Sequence, residues 1–239
     1  MEERIERWQL GIPDTFIPVS KLEKYLDYGI VKYFSKGSFV LSPGDEPGML
    51  YYVLSGKLQL NIIFPDGRER MAFFGGKHSI FNLLWELHLL ERYDHYVVAV
   101  KDSKVCCFTK EQLQSVFQLD GDIVFDLYSN IFSTALYFLT QAAEMDYLNP
   151  TIRIVKLIYN LCVSQGIPVN NHIEVSMLPS YKTIADITGV HYVTVSKVFC
   201  ILKKKKILER KKDKLLIYDK ERLKELMQQT QIFKHESTC

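Results

Sequence analysis

The chain has 239 residues, 47% of them hydrophobic and 24% charged, with a net charge of +2. It therefore holds material for a sizeable core in one large or two ordinary domains and is no disordered segment. No unbroken apolar run of 18 residues occurs, and the opening MEERIERWQLGIPD is too charged for a signal peptide, so the expectation is a cytoplasmic protein without membrane span or leader.

Five cysteines, none in a CxxC pair and none among the first 105 residues, argue against structural disulfides and a zinc ribbon. The small total charge hides a polarity. Residues 1–149 hold 14 Lys+Arg against 20 Asp+Glu, and residues 150–239 hold 16 against 8. Lys197, Lys203 to Lys206, Arg210, Lys211, Lys212 and Lys214 stand within 18 residues that contain only Glu209 and Asp213 in opposition, a focus that attracts phosphate polymers.

From about residue 30 to 110 the chain reads as short strands punctuated by turns. Leu58, Leu60 and Ile62 alternate with Gln59 and Asn61, turns fall at Ser55-Gly56 and Pro65-Asp66-Gly67, and HYVVAVKDSKVCCFT supplies a second strand run. This predicts a small antiparallel barrel or jelly roll. Cys106 and Cys107, adjacent on one strand, are expected on opposite faces as packing residues.

From about 120 to 147 the turns vanish. Val124, Tyr128, Ile131, Ala135, Phe138, Ala142 and Met145 recur at alternating spacings of four and three, the seam of a coiled coil, so this helix is expected to make a homodimer. Asn149-Pro150 ends it.

The remainder reads as helical with two short strand pairs. TIRIVKLIYNLCVSQG is an amphipathic helix, VNNHIEVSM a strand pair, and YKTIADITGVHYVTVSKVFC a helix-turn-helix. Gly189 makes the turn, Ala185 allows close crossing, Val190 is expected to be buried, and Val195 and Val198 face the core. ILERKKDKLLIY is a hairpin with a basic tip, a wing, and DKERLKELMQQ is a last helix capped by Asp219. The architecture expected is α+β: an N-terminal β-roll over 1–118, a dimerisation helix over 119–148 and a winged helix-turn-helix over 149–239. The function expected is binding of double-stranded DNA through Lys182, Thr183, His191, Tyr192, Val193, Thr194, Ser196, Lys197, Lys203 and Lys204.

The order roll, long helix, winged helix resembles the CRP/FNR transcription regulators over nearly the whole chain. GMLYYVLSGKLQLNIIFPDGRERMAFF is similar to their effector-binding roll and TIADITGVHYVTVSKVFCILKKKKIL to their DNA-binding motif. EMDYLNPTIRIVKLIYNLCVSQG with ITGVHYVTVSKV resembles the CprK branch, regulators of halorespiration that sense chlorinated aromatic compounds. The resemblance implies a dimeric, effector-responsive activator that engages RNA polymerase.

Family members that take cyclic nucleotides hold ribose and cyclic phosphate with a Gly-Glu-Leu turn and a later Arg-Ser pair. Here those places carry Phe81 and Asn82, and Tyr93 and Asp94; an acidic side chain repels phosphate, so cyclic AMP is rejected. Iron-sulfur sensing needs N-terminal thiolates that are absent, and haem would rest on His78 alone. The halorespiration branch favours a phenolate with a tyrosine and lysines where this chain has Phe73, Leu83 and Thr134, so a related but different or less acidic aromatic effector is expected. Phe73, Phe74, His78, Phe81, Asn82, Leu83, Trp85, Tyr96, Thr134 and Phe138 are its candidate contacts, with no metal and no other cofactor.

Two rivals keep the family, with a redox or haem-ligand signal or with DNA binding free of any ligand. An enzyme of the cupin type is remote, because no HxH pair and no GxSxG occurs. Cys200 lies near a position where some branch members carry a redox thiol, but Gly11 stands in the neighbourhood of its partner; Cys200 is expected in the core. The family places a glutamate where this chain has Val193. Valine packs on a thymine methyl instead of accepting from cytosine, which predicts an A·T-rich inverted repeat resembling the branch's TTAAT half-sites.

Overall fold

The computed structural model describes residues 16–45, 48–82, 94–176, 179–212 and 214–228. These fall into two compact units that divide within one long helix, between Leu136 and Tyr137.

The first unit begins with a 3-10 helix, Ser20–Tyr28, followed by β1 (Ile30–Phe34), β2 (Phe39–Leu41), β3 (Leu50–Ile63), β4 (Glu69–Gly75), β5 (Ile80–Phe81) and β6 (Asp94–Phe108). All pairings are antiparallel, in the order β1-β6-β3-β4, with β2 also on β6 and β5 also on β3. The long strands β3 and β6 pair from Leu50 opposite Phe108 to Ile63 opposite Asp94, with register shifts between Val53 and Leu58. Gly56 sits at this irregularity with φ +90°, and a Cβ there would stand 2.4 Å from the Asp102 carbonyl oxygen. Only glycine fits.

Strand alternation sorts the core into two clusters. Leu50, Tyr52, Leu54, Cys106 and Phe108 pack with Leu22, Leu113, Val116, Ile123 and Leu127, while Tyr51, Val53, Leu58, Val97, Ala99, Val105, Cys107 and Phe81 form the other. Cys106 and Cys107 thus serve opposite faces, and burial pushes the Cys106 thiol up to about 11.

Helix α1 (Lys110–Leu119) opens with a Thr109–Gln112 capping box, and α2 (Asp122–Tyr147) follows. Ile123 and Leu127 on α2 are buried, whereas Val124, Phe125, Tyr128, Ile131, Phe132, Leu136 and Leu139 are exposed. By length and composition α2 could cross a membrane. Of the expected seam, Val124, Tyr128, Ile131, Ala135 and Ala142 are exposed and Phe138 and Met145 are half-buried, while exposed Phe125, Phe132, Leu136 and Leu139 widen the apolar face beyond it.

The second unit contains the end of α2, then α3 (Pro150–Gln165), β7 (Gly166–Val169), β8 (His172–Ser176), α4 (Tyr181–Thr188), α5 (Tyr192–Lys204), β9 (Leu208–Arg210), β10 (Lys214–Ile217) and α6 (Lys220–Gln228). Asn149 caps α3 ahead of Pro150, and Asp219 caps α6 by accepting from Arg222 N–H at 2.8 Å. The four strands form one antiparallel sheet, β7-β8-β10-β9, so the expected strand pair and the wing share it. Buried Ile154, Ile158, Leu161, Ile184, Val195, Leu202, Leu215 and Leu223 supply its core.

Candidate nucleic-acid interface and ligand pocket

Ser180 caps α4 by accepting from the Thr183 N–H at 3.0 Å, and Gly189 ends it in the left-handed region, φ 61° and ψ 37°. Helix α5 leaves at 109° to α4, the crossing of a helix-turn-helix. Buried Ile184, Ala185, Val195, Val198 and Phe199 hold the pair. Val190, expected in the core, is half-buried, because it lies in the turn where the chain has not yet re-entered the helix; Cys200 is likewise half-buried.

The N-terminal half of α5 presents a contiguous row. His191 caps the helix, its Nδ1 accepting from Val193 N–H at 3.3 Å. Tyr192, Val193 and Lys197 are exposed and Thr194 and Ser196 half-buried on either side of buried Val195. Lys182 is exposed at the start of α4, while the Thr183 hydroxyl is 2.9 Å from that of Ser180. Lys203 and Lys204 occupy the last turn of α5, roughly 17 Å along its axis from the first. Both are exposed, and Lys203 pairs with Glu209 at 3.1 Å and holds that carboxyl below its usual range. Cations there also favour the helix C-terminus, so these lysines have a structural share in the helix end.

Two supporting roles, those of Arg210 and Arg153, carried no signal in the sequence reading. The Arg210 guanidinium lies 4.6 Å from the Tyr181 ring and 6.0 Å from that of Phe199, bracing wing against helix pair. Arg153 of α3 donates to the carbonyls of Thr188 at 2.8 Å and of Met145 and Leu148 at 2.9 Å, joining the end of α2 to the end of α4. A cleft beside it is lined by Gln141, Glu144, Lys156 and Thr188, among others. Gln141 donates to Ile187 and Lys156 pairs with Glu144, so these polar groups serve each other.

In the first unit Phe73 stacks on Phe81 at 5.2 Å with the rings 19° from parallel, and Phe16 meets Phe73 edge-on at 5.4 Å. Phe81 is 1% exposed. Asn82, in the left-handed region at φ 63°, donates to the Met49 carbonyl at 2.8 Å. Among the described residues, other candidates make the following contacts. Phe74, next on β4, lies under the Lys57 ammonium. Tyr96 donates to Glu69 at 2.9 Å, meets Phe39 edge-on, and is pushed up to about 12 by burial and that carboxylate.

His78 is engaged by Glu23 at 2.9 Å and Ser20 at 3.2 Å and stacks on Tyr52; it holds the 3-10 helix to the roll. The Thr134 hydroxyl donates to the Asn130 carbonyl one turn back, and Phe138 lies in the second unit against Tyr137. Leu83, Trp85 and Tyr93 lie outside the described residues.

Residues 31–120 match the family model of the cyclic nucleotide-binding domain and residues 152–226 that of the Crp-like helix-turn-helix domain. Two solved structures of CprK complexed with OCPA are 40% and 39% identical to the chain, cover 90% and 89% of it and 97% and 99% of their own chains, and superpose with TM-scores of 0.78 and 0.76. Among curated proteins, the global nitrogen regulator of Nostoc sp. is 22% identical over 79% of this chain and 85% of its own length. The transcriptional regulator ArcR of Staphylococcus aureus is 20% identical over 80% of this chain and 81% of its own length.

Proposed function

From a chain that belongs to the CRP/FNR family of DNA-binding transcription regulators, CprK-like and not an enzyme, we infer a cytoplasmic homodimer that binds an A·T-rich inverted repeat under the control of a small aromatic effector. The observation that carries the DNA half is the 109° helix pair presenting His191, Tyr192, Val193 and Lys197 to solvent. The N-terminal turn of such a helix reads base edges in the major groove, while Lys182 and the lysines at its far end meet phosphates.

Pairing along α2 sets two such helices about one DNA turn (~34 Å) apart. The uncovered apolar face of α2 favours that pairing, because a second copy supplies the matching stripe. An effector that binds one arrangement of the pair more tightly than the other shifts the protein toward the arrangement that fits the operator. An active dimer in this family also engages RNA polymerase, which is the role proposed for this one.

The roll does not suit a cyclic nucleotide. The place of the ribose-binding turn holds buried Phe81 and Asn82, whose amide is spent on Met49. Asp94, near the place of the phosphate-binding pair, accepts from the Gly44 and His95 N–H groups. The Phe73–Phe81 stack, with Phe16 edge-on to it, instead gathers aromatic rings of the kind among which a planar apolar ring packs. One solved CprK structure, 38% identical, is described as a complex with o-chlorophenolacetic acid, which favours the same ligand class.

The test is selection of sites from random DNA, followed by affinity measurement with and without o-chlorophenolacetic acid and a panel of halogenated phenols. An A·T-rich palindrome whose affinity rises with one of these compounds is expected. Selection of G·C-rich sites, a response to cyclic AMP, or an affinity that no aromatic compound changes would overturn the corresponding part.

A further inference from the structure

The residues between Phe16 and Ser20, outside helix and strand, are fixed at both ends to different parts of the first unit. At one end both main-chain groups of Ile17 are taken by side chains of α2: its N–H donates to the Ser133 hydroxyl oxygen at 3.1 Å, and its carbonyl accepts from the Asn130 amide at 2.6 Å. Asn130 is 5% exposed, and the Ser133 hydroxyl donates its own proton to the Asn130 carbonyl. At the other end Val19 is fully buried, its N–H donates to the His78 carbonyl at 2.9 Å, and its carbonyl accepts from the Tyr52 hydroxyl at 3.0 Å. Pro18 between them has no N–H to satisfy and a fixed φ, so a shift at one anchor passes to the other. Beside the α2 anchor, the Phe16 ring stands edge-on against Phe73, itself stacked on Phe81.

We propose that Phe16 is a wall of the effector pocket and that the Phe16–Val19 strap, gripped by Asn130 and Ser133, reports pocket occupancy to α2. This rests on the aromatic-effector reading of the roll. A ring entering beside Phe73 and Phe81 must displace or extend the edge contact made by Phe16, and in a close-packed interior that change moves Ile17 rather than leaving a void. Asn130 and Ser133 are three residues apart and share a face of α2. Ile131, a seam residue, lies between them, so an α2 that follows the strap carries its seam with it. The strap is thus an element whose position ligand and dimer helix both bias, which is what coupling between two sites requires.

The full chain is compared with Ser133→Ala, which removes the acceptor of the Ile17 N–H, and with Phe16→Ala and Phe16→Leu. Calorimetry with o-chlorophenolacetic acid and the halogenated phenols gives ligand affinity, and anisotropy on the selected palindrome gives the ligand-induced gain in DNA affinity. Ser133→Ala is expected to bind the active compound about as well as the parent while its gain in DNA affinity falls about tenfold. Phe16→Ala is expected to lose ligand affinity and Phe16→Leu to recover part of it. Parental gain in Ser133→Ala overturns the strap.

Absence of binding by every compound to the parent chain is the failure of the aromatic reading itself. Hydrogen exchange on the ligand-free protein then decides the strap. Faster exchange of α2 amides around residue 130 in Ser133→Ala and Phe16→Ala, with β3 and β6 unchanged, supports it; unchanged exchange in α2 overturns it. Should Phe16→Ala exchange faster throughout the roll, it has unfolded, and Ser133→Ala alone decides.

Discussion

Val193 stands 47% exposed in the first turn of α5, where a side chain of the recognition helix meets base edges. An isopropyl group offers no acceptor for a cytosine amino group but packs on a thymine methyl. Val193→Glu should therefore weaken binding to the A·T-rich palindrome and favour a cytosine at the contacted position, a change of about 1–3 kcal/mol per half-site, read by competition between the two sequences. A second residue-scale outcome concerns acid. Lys214, with His172 as the lesser cause, holds the Glu174 carboxyl below its ordinary value. A depressed carboxylate stabilises the fold above its unfolded pKa and ceases to do so as pH falls through the folded one. Lys214→Met should lower the urea midpoint near neutral pH, and the gap from the parent should close as pH drops below about 4.5, the ordinary glutamate value. At this scale Gly189 and Val195 were legible because a turn and a periodicity fix them. The positive φ of His78 and Asn82 was not, since neither residue type demands it; His78 contacts Glu23 and Ser20, and Asn82 donates to the Met49 carbonyl.

At the scale of elements, α2 and the helix pair α4–α5 emerge where periodicity and the Gly189 turn place them. Helix α1 was missed, although Thr109 and Gln112 form a capping box whose spacing is readable; its ten residues were hidden between a strand run and a longer helix. The 3-10 helix at Ser20–Tyr28 and the Phe16–Val19 strap were also missed, because their shape is set by partners more than 50 residues away, such as His78, Asn130 and Ser133. The two faces of α2 permit a clean test of pairing. Ile123 and Leu127 tie it to its own roll while Tyr128 and Ile131 face outward. Ile131→Asp should leave the circular dichroism of the chain unchanged and turn a dimer into a monomer at micromolar concentration, as read by sedimentation. A variant that still sediments as a dimer would remove α2 as the interface.

For the whole molecule, the division of charge read from the sequence follows the division of the structure. The acidic excess lies ahead of residue 150 and the basic excess behind it, and the helix pair and wing lie in the basic part. Binding that rests on phosphate contacts releases counterions, so log affinity should fall linearly with log salt, by about 0.9 for each phosphate neutralised. Lys204→Gln should reduce that slope while leaving sequence preference intact. Lys203→Gln should reduce it as well, and should also release Glu209, which that ammonium engages at 3.1 Å.

The position of α2 in the chain has a consequence for how the protein is made. The last seam residue comes at Met145, whereas α4 begins at Tyr181 and α6 ends at Gln228. At about 5–20 residues per second of synthesis, α2 is finished roughly 4–16 s before the winged helix-turn-helix unit. If the proposed pairing along α2 forms during synthesis, two chains growing side by side on one message would meet through their seams before either could hold DNA, and identical copies would find each other before mixed partners do.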